Sequence, residues 1–348
     1  MPFVSEHGMS QQRPLNLVII GVTGRMGLAL VRAAAEIPGK LTVTGAVAST
    51  TSKALGHDAG ELAGVNPVDA RVTDDLAAAL ARADVVVDFS QPHATRSNVT
   101  VCRAARKPLL IGTTGFSSDL TSVFDAAATE IPLLIAPNTS IGVTLLTELT
   151  RIAAQSLPRD FDIEIIEAHH RMKKDAPSGT ALALGRAAAQ GRGLPESAVL
   201  EAAGLAQDGA GQTAGMAQAA ATGQAPATAP VAVGHGQAAA SGKASAGTAQ
   251  GTGIGQAAGA SLAGRTQLPN RSGERRPGDL GFAVIRGGDI VGDHTVLFAG
   301  TGEQVTLGHR ATDRAVFARG ALRAALWLAG QGPGRYFMRD FIGLKTGA

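Results

Sequence analysis

The chain has 348 residues, of which 45% are hydrophobic and 17% charged, and this is enough material for two domains with buried cores. A net charge of only +3 and an aromatic content of 3% argue against a nucleic-acid-binding protein with stacking platforms. The single cysteine, Cys102, excludes an intramolecular disulfide and a multi-cysteine metal site, and we predict a small buried residue there rather than a reactive thiol.

The start of the chain carries no targeting pattern. Residues 1–14 lack the basic start and apolar stretch of a secretion signal, and we interpret them as a loose tail in which Met9 could be an alternative start. No apolar run approaches the roughly 20 residues of a membrane span. We therefore expect a cytoplasmic protein with neither a membrane nor a nucleic acid as partner.

Residues 15–140 alternate between short apolar runs and segments with helical periodicity. The runs are LNLVII, LTVTGAVA, DVVVDFS, PLLIGTTG and IPLLIAPNTS. Strands that are apolar along most of their length are typical of a parallel sheet covered by helices on both faces. The pattern predicts an α/β fold in which these residues form a Rossmann-like, doubly wound dinucleotide-binding domain.

A second domain is predicted for residues 141–313, where the pattern changes. The segment FDIEIIEA alternates in part between polar and apolar residues, and the candidate strands GFAVIR, HTVLFAG and EQVTLGHR follow late in the chain. They indicate an α+β substrate domain with an open mixed four-stranded sheet that leaves one face free. Residues 314–348 contain a helix that Thr312 or Asp313 could cap, and we expect it to return to the first domain.

Residues 201–270 differ in composition from the rest of the chain. The first 60 of them contain 22 Ala and 13 Gly, and only three are charged. Such a segment has too few large apolar side chains to offset its ordering entropy. We predict a flexible low-complexity insertion without a chemical role, and an ordered helix within it stays open as an alternative.

The sequence GVTGRMG follows the first predicted strand and opens the first predicted helix. Gly21, Gly24 and Gly27 would let backbone amides approach a pyrophosphate, and the helix N-terminus would add partial positive charge. Thr23 stands where the usual fingerprint has its second glycine, so a tight turn without a ligand remains an alternative.

The second predicted strand ends in AVASTTSK, without the acidic residue that would bind the ribose of NAD. Hydroxyl groups from Ser49 onwards and the cation of Lys53 suit a 2′-phosphate instead. We therefore expect NADPH and/or NADH as the cofactor, with NADPH favoured; a solvated turn is the alternative. The loops 111–115 and 136–142 also end strands of this sheet, where ligands bind in such folds, although each could be purely structural.

The stretch EIIEAHHRMKKDAPSGTAL, at residues 164–182, places five basic side chains just before a predicted helix start. Helix N-termini bind anions, so this arrangement suits a small dicarboxylate. A histidine can supply a proton near neutral pH, and a nearby lysine can stabilise developing negative charge. A solvated charged face or a nucleic-acid patch is the alternative interpretation.

Other candidate groups carry less information. We expect ordinary structural roles for His294 and His309, and the sequence does not decide whether Arg286 or Arg314 contacts carboxylates. No metal site is predicted, because the two histidines of the basic stretch are adjacent rather than one helical turn apart. A serine hydrolase is excluded, because the serine of that stretch lacks a G-x-S-x-G elbow.

These motifs, in this order, resemble the 4-hydroxy-tetrahydrodipicolinate reductase family, also called dihydrodipicolinate reductases. The resemblance covers residues 15–200 and 271–344 and rests on GVTGRMG, VVVDFS, IGTTGF, APNTSIGV, IEIIEAHHRMKKDAPSGTA, ERRPGDLGFAVIRGGDIVGDHTVLF and FARGALRAALWL. It implies an oxidoreductase that uses NAD(P)H to reduce 4-hydroxy-tetrahydrodipicolinate to tetrahydrodipicolinate, with loss of water, in diaminopimelate and lysine biosynthesis. It also implies a homotetramer, assembled through the free face of the mixed sheet.

The resemblance implies a role for each matching position. His169 would be the catalytic acid/base and Lys173 a proton donor. The implied substrate-binding residues are His170, Ser178, Gly179 and Thr180. The implied cofactor-binding residues are Gly21, Val22, Thr23, Gly24, Arg25, Met26, Gly112, Thr113, Thr114, Ala136, Pro137, Asn138 and Thr139.

The chain departs from the family pattern at two places. Family members commonly carry Glu-Arg at the end of the second strand, where this sequence has Ala48 and Ser49, and the exchange bears on the use of both nucleotides. The long insertion is the second departure. Two other functions stay open: a catalytically silent NADPH-binding redox sensor, and a related reductase of another small dicarboxylate.

Overall fold

The computed structural model describes residues 13–205 and 276–344. The predicted tail, apart from its last two residues, lies outside the described residues. So does the predicted insertion from residue 206 onwards. The first residues assigned to that insertion belong to the end of the helix Glu196–Ala202 and the turn after it.

The first sheet has seven parallel strands in the order β3-β2-β1-β4-β5-β6-β11. Its strands are β1 Leu15–Ile20, β2 Leu41–Val47, β3 Val72–Thr73, β4 Val85–Asp88, β5 Leu109–Ile111, β6 Pro132–Ile135 and β11 Gly334–Tyr336. The first six follow the 3-2-1-4-5-6 order of a doubly wound dinucleotide-binding fold, which confirms the predicted fold class. The edge strands β3 and β11 had not been predicted.

Helices cover both faces of this sheet. They are α1 Arg25–Ala35, α2 Ala59–Ala63, α3 Leu76–Ala79, α4 Thr95–Ala104, α5 Thr121–Ala128, α9 Ala315–Leu328 and α10 Met338–Phe341. Successive residues of β1 belong to opposite cores: Leu17 packs with α1 and α9, and Val18 packs with α4 and α5. Cys102 of α4 is fully buried, as predicted. No helix within the described ranges is long and apolar enough to cross a membrane.

The second sheet is mixed and has the order β10-β9-β7-β8. Its strands are β7 Asp162–His169, β8 Leu280–Arg286, β9 Gly292–Gly300 and β10 Glu303–Ala311, and its helices are α6 Ile141–Ser156, α7 Gly179–Arg192 and α8 Glu196–Ala202. Buried residues such as Ile165 and Phe298 pack one face of the sheet against α6 and α7. On the opposite face Ile285 remains 52% exposed, so the predicted open face is present.

Strand register gathers polar residues at one end of the mixed sheet. Glu167 of β7 lies opposite His294 of β9, which in turn lies opposite His309 of β10. His169 lies opposite Arg286 of β8. Because residues two apart on a strand share a face, Glu167 and His169 both point toward the side covered by helices.

Candidate active site

The turn between β1 and α1 is built from glycines that no other residue could replace without displacement. Gly21 has a φ of +79°, and a Cβ there would lie 2.7 Å from the carbonyl oxygen of Phe89. A Cβ at Gly27 would lie 2.3 Å from the carbonyl oxygen of Gly21. The first turn of α1 therefore packs directly onto the end of β1.

The N-terminus of α1 is free to receive an anion. Its N-cap residue, Gly24, offers no side-chain hydrogen bond, and its first turn holds no acidic residue. The first amides of a helix lack intrahelical partners and carry partial positive charge. This observation fits a dinucleotide pyrophosphate, for which Arg25 and Met26 begin the helix at the wall of a cleft.

The other predicted cofactor loops lie at the same edge of the sheet. Gly112 follows β5, and a Cβ there would lie 2.2 Å from the ring of Phe89. Thr113 Oγ1 donates to the carbonyl of Ser90 at 3.2 Å, which ties this loop to the one after β4. Ser49 is exposed at the end of β2, with its hydroxyl 3.3 Å from that of Thr51.

Asp88, at the end of β4, connects these loops through hydrogen bonds. Burial raises the pKa of its carboxyl, while hydrogen bonds from Ser90 and Asn98 oppose that rise. The side-chain amide of Asn98 donates to Asp88 Oδ2 at 2.9 Å and to Ser90 Oγ at 3.1 Å. A buried carboxylate therefore organises the backbone beneath the predicted nicotinamide site.

A cleft of about 1560 Å³ is lined both by predicted cofactor-binding residues and by predicted substrate-binding and catalytic residues. The predicted site residues that line it are Arg25, Met26, Ala136, Pro137, Asn138, His169, His170, Lys173, Ser178, Gly179 and Thr180. The remaining predicted cofactor residues are not part of its wall; they are Gly21, Val22, Thr23, Gly24, Ser49, Gly112, Thr113, Thr114 and Thr139. The N-termini of α1 and α7 thus open into one shared space.

The start of α7 is fixed by Ser178, whose own donors are engaged inside the protein. Its hydroxyl accepts from the amide of Ala181 at 3.1 Å and lies 3.2 Å from Nε2 of His294. Its backbone amide donates to Glu167 Oε1 at 3.0 Å. An anion at this helix start could meet the amides of Gly179 and Thr180 next to the serine.

The predicted cofactor and substrate loops also touch one another. The side-chain amide of Asn138 donates to Thr180 Oγ1 at 3.2 Å. Asn138 Oδ1 also accepts from the amide of Ser140 at 2.8 Å, next to the start of α6. One amide side chain therefore connects the end of the first domain with the anion-ready turn of the second.

His294 has the structural role that the sequence suggested. It is 4% exposed, and burial followed by the nearby His169 lowers its pKa to about 3. Nε2 of the ring forms its hydrogen bond with the Ser178 hydroxyl, whereas Nδ1 has no hydrogen-bond partner among the described residues. His309 is likewise linked to a helix cap: its Nε2 lies 3.5 Å from the hydroxyl of Ser140, which caps α6.

His169 lies at the end of β7 and is 8% exposed. Its Nδ1 is 2.5 Å from Glu167 Oε2, and its ring contacts that of His294 edge-on with centroids 5.1 Å apart. Glu167 is fully buried and is clamped by both terminal nitrogens of Arg286 at 2.8 Å. Glu167 had no predicted role, and the role of Arg286 had been left open.

The basic loop after β7 divides into cleft residues and solvent-facing ones. Lys173 lines the cleft and pairs with Asp175 Oδ2 at 2.8 Å. Partial burial and the positive charge of Arg314 lower the pKa of His170. Lys174 is exposed and does not line the cleft. Within the described ranges, no group of three or more His, Cys, Asp or Glu could hold a metal ion.

A doubly wound domain, with an open helix N-terminus facing an imidazole and an ammonium group across a cleft, defines a nicotinamide-dependent oxidoreductase. Profiles described as "Dihydrodipicolinate reductase, N-terminus" and "Dihydrodipicolinate reductase, C-terminus" match residues 15–139 and 142–342. The chain therefore belongs to the dihydrodipicolinate reductase family.

Relatives in this family are similar over nearly their whole length. The 4-hydroxy-tetrahydrodipicolinate reductase of Anaeromyxobacter dehalogenans (strain 2CP-1) is 40% identical over 331 residues, which cover 95% of this chain and 98% of the relative. The enzyme of the same name from Alkalilimnicola ehrlichii is 42% identical over 330 residues, which cover 94% and 98%. The predicted family is thereby confirmed.

Solved structures support the fold. A dipicolinate-bound dihydrodipicolinate reductase from Paenisporosarcina sp. TG-14 superposes with a TM-score of 0.62 at 20% identity, covering 94% of this chain and 99% of that one. An amine dehydrogenase from Mycobacterium smegmatis gives a TM-score of 0.51 at 14% identity, covering 94% and 95%. Both structures share the overall fold of this chain.

Proposed function

We infer that this protein reduces 4-hydroxy-tetrahydrodipicolinate to tetrahydrodipicolinate with loss of water, using NAD(P)H, in diaminopimelate and lysine biosynthesis. The observation that carries this inference is the shared cleft, which brings the N-termini of α1 and α7 together with His169 and Lys173. The relatives that bear this enzyme's name support it. No observation favours the silent redox sensor or a reductase of another dicarboxylate.

Charge and helix ends would hold the substrate. A carboxylate can accept from the first amides of α7, at Gly179 and Thr180, where the helix dipole adds favourable potential. His170 and Lys173 line the same region and would balance the second carboxylate. Ser178 donates its backbone amide to Glu167, and its hydroxyl accepts from the amide of Ala181, so this predicted substrate residue also caps the helix.

The residues proposed for acid/base chemistry lie at the end of β7 and in the loop that follows it. A reduced nicotinamide, when bound, supplies the hydride. His169 would give a proton to the substrate, and the ammonium of Lys173 would stabilise negative charge that develops nearby. Both side chains line the cleft while being mostly shielded from bulk water. Proton transfer of this kind contributes about 10²–10⁴-fold to a rate.

The finer features of cofactor use and assembly are part of the proposal. Ser49 and Thr51 offer hydroxyl groups at the end of β2 and no carboxylate, which favours NADPH over NADH. The predicted contacts of Gly112, Thr113 and Thr114 with the nicotinamide would use loops at the edge where such ligands bind. We further propose a homotetramer assembled through the uncovered face of the mixed sheet.

A coupled assay tests the function. The upstream synthase makes fresh substrate from aspartate semialdehyde and pyruvate, and nucleotide oxidation is followed by the absorbance of the reduced nicotinamide. We expect turnover with both nucleotides and a higher kcat/KM with NADPH. Dipicolinate, a planar dicarboxylate analogue of the ring, should inhibit. Tight NADPH binding without turnover would contradict the proposal and favour the sensor.

Matched variants test the residues in the same assay. His169→Gln and Lys173→Ala should each lower kcat by about 10²-fold or more, with nucleotide affinity retained. Lys174→Ala removes the same charge one residue further on, from an exposed side chain outside the cleft wall, and should keep the wild-type rate. Equal rates for the two lysine variants would show that the assignment of Lys173 is wrong.

A further inference from the structure

The carboxylate of Glu167 has four hydrogen bonds on its two oxygen atoms. Oε1 accepts from the amide of Ser178 at 3.0 Å and from Arg286 at 2.8 Å. Oε2 lies 2.5 Å from Nδ1 of His169 and accepts from Arg286 at 2.8 Å. These contacts come from β7, β8 and the start of α7, so one buried side chain connects all three elements around the candidate catalytic histidine.

The hydrogen bonds to this carboxylate keep it ionised near neutral pH. Burial by itself would raise its pKa, but the hydrogen bonds from His169 and Arg286 and the charge of Arg286 outweigh that effect and lower the pKa to about 2. An ionised carboxylate has no proton to donate. The hydrogen bond between Glu167 and His169 must therefore use a proton that belongs to the imidazole.

The two nitrogens of His169 thus have different surroundings. Nδ1 faces the carboxylate at 2.5 Å. Nε2 has no hydrogen-bond partner among the residues that the structure describes, and the ring lines the cleft. Gly292 passes close to this nitrogen, where even a Cβ atom would lie only 3.1 Å away, so a glycine at that position leaves room beside it.

We propose that Glu167, clamped by Arg286, is the positioning residue that fixes the tautomer of His169, so that Nδ1 keeps its proton and Nε2 exchanges protons with the substrate. This inference rests on the proposed function of His169. In the proton-donating step the N–H bond at Nε2 breaks and a bond from that proton to the substrate forms. The ring goes from imidazolium to the neutral Nδ1–H form, and the Glu167 carboxylate keeps its charge throughout.

Arg286 contributes more than charge to this arrangement. Its guanidinium also donates to the carbonyl oxygen of Asp175 at 2.7 Å, within the loop that carries Lys173. The same clamp therefore sets the orientation of the imidazole and the path of the loop that presents the ammonium group. A planar fork suits this double task, because its donors diverge in fixed directions.

The wild-type protein alone can overturn the proposal. Long-range ¹H–¹⁵N correlation spectra of protein labelled with ¹⁵N-histidine distinguish a protonated ring nitrogen from a bare one. The chain has eight histidines, and His169 is assigned by the signals missing from His169→Gln. We expect the neutral His169 ring to carry its proton at Nδ1. A neutral ring protonated at Nε2 would refute the inference whatever any variant does.

The variant Glu167→Gln then tests the consequence. Because an amide can either accept from or donate to Nδ1, we expect the His169 ring to lose its single tautomer, and kcat to fall by about 10–100-fold, the usual effect of removing such a supporting partner. Substrate KM and NADPH Kd should change less than about threefold. The control is Glu130→Gln, which also removes a carboxylate paired with arginine, here with Arg103 and Arg106, but one that lies outside the cleft wall.

The outcomes separate this inference from the proposed function. A wild-type rate and a single Nδ1–H tautomer in Glu167→Gln would contradict the positioning role and would leave the proposed reductase function standing. A wild-type protein that does not turn over fresh substrate would sink the function, and the spectra would still report the tautomer. If Glu167→Gln does not fold, the wild-type spectra decide by themselves.

Discussion

His294 shows at the scale of one residue how burial decides protonation next to the candidate catalytic group. Burial and the neighbouring His169, His309 and Lys173 lower its pKa, and the carboxylate of Glu167 opposes them, with a net result of about 3. The ring is therefore neutral and can accept the hydroxyl proton of Ser178. The helix start that would bind substrate depends on this neutral form.

A pH titration of stability tests that conclusion. In the unfolded chain His294 titrates near 6.5 and in the folded protein near 3, so its contribution is fully present above pH 6.5 and is lost as the pH falls toward 3. The loss should approach about 1.4 kcal/mol per pH unit over that window. His294→Gln keeps an acceptor for Ser178 and should flatten the curve by that slope.

The measurement is the free energy of unfolding by denaturant at several pH values between about 7 and 5, where the unfolded histidine takes up its proton. His57→Gln serves as the control for the loss of one exposed histidine. Identical pH slopes for His294→Gln and wild type would mean that His294 is charged or accessible in the folded protein.

At the scale of the elements, the junction of β1 and α1 depends on contact between backbones. A Cβ at Gly27 would approach the carbonyl oxygen of Gly21 to 2.3 Å, and that atom cannot move without displacing the turn. Gly27→Ala should therefore lower the free energy of unfolding by about 1–3 kcal/mol, as overpacking does, and should weaken NADPH binding as well.

Differential scanning calorimetry and fluorescence titration with NADPH measure both effects. Gly332→Ala is a matched control, because a Cβ there would meet nothing within 4 Å and its backbone φ is not positive. It should bind NADPH like the wild type. If Gly27→Ala bound NADPH with unchanged affinity, α1 could move away from β1 without disturbing the cofactor-binding turn between them.

Elements differ in how far the sequence could predict them. Strand β4 is buried along its length, and a strand of this kind can be predicted from its run of apolar residues in the sequence. Strand β3 has two residues and β11 three, too few for any periodicity, so only pairing with β2 and β6 defines them. The glycine-containing turn between β1 and α1 and the turn at residues 177–180 were predictable, because turns of these kinds require particular residue types.

The active-site contacts that sequence reasoning missed are the long-range ones. Glu167 and Arg286 are separated by 119 positions, and nothing in either local pattern indicates that they form a pair. His294 is 116 positions from Ser178. The strand register of the mixed sheet brings Glu167 and Arg286 together, and the packing of α7 on that sheet brings Ser178 to His294; a predicted list of strands and helices contains neither. The presence of His169 was predictable, but the orientation of its ring was not.

At the scale of the whole molecule, the uncovered face of the mixed sheet is where we expect subunits to meet. Ile285 is 52% exposed there, and a large apolar side chain exposed on an uncovered sheet face is a candidate contact for a second subunit. Light scattering should give four times the chain mass. Ile285→Glu should shift the population toward smaller species, because a charge buried at the interface is costly.

Leu194→Glu is the control for that experiment, because it places the same charge at another exposed aliphatic residue, just after α7 and away from the strands. It should leave the mass unchanged. A wild-type monomer would refute assembly through this face. If the Ile285→Glu protein remained a tetramer, the interface would have to lie elsewhere on the molecule.

The described chain stops at Leu205 and resumes at Arg276, just ahead of β8. Leu280 begins that strand beside Ile163, whereas Arg286 ends it beside His169, so the re-entry point and the chemistry stand at opposite ends of seven residues, about 20 Å apart. A change of length ahead of Leu280 would therefore lie a full strand away from the candidate catalytic histidine.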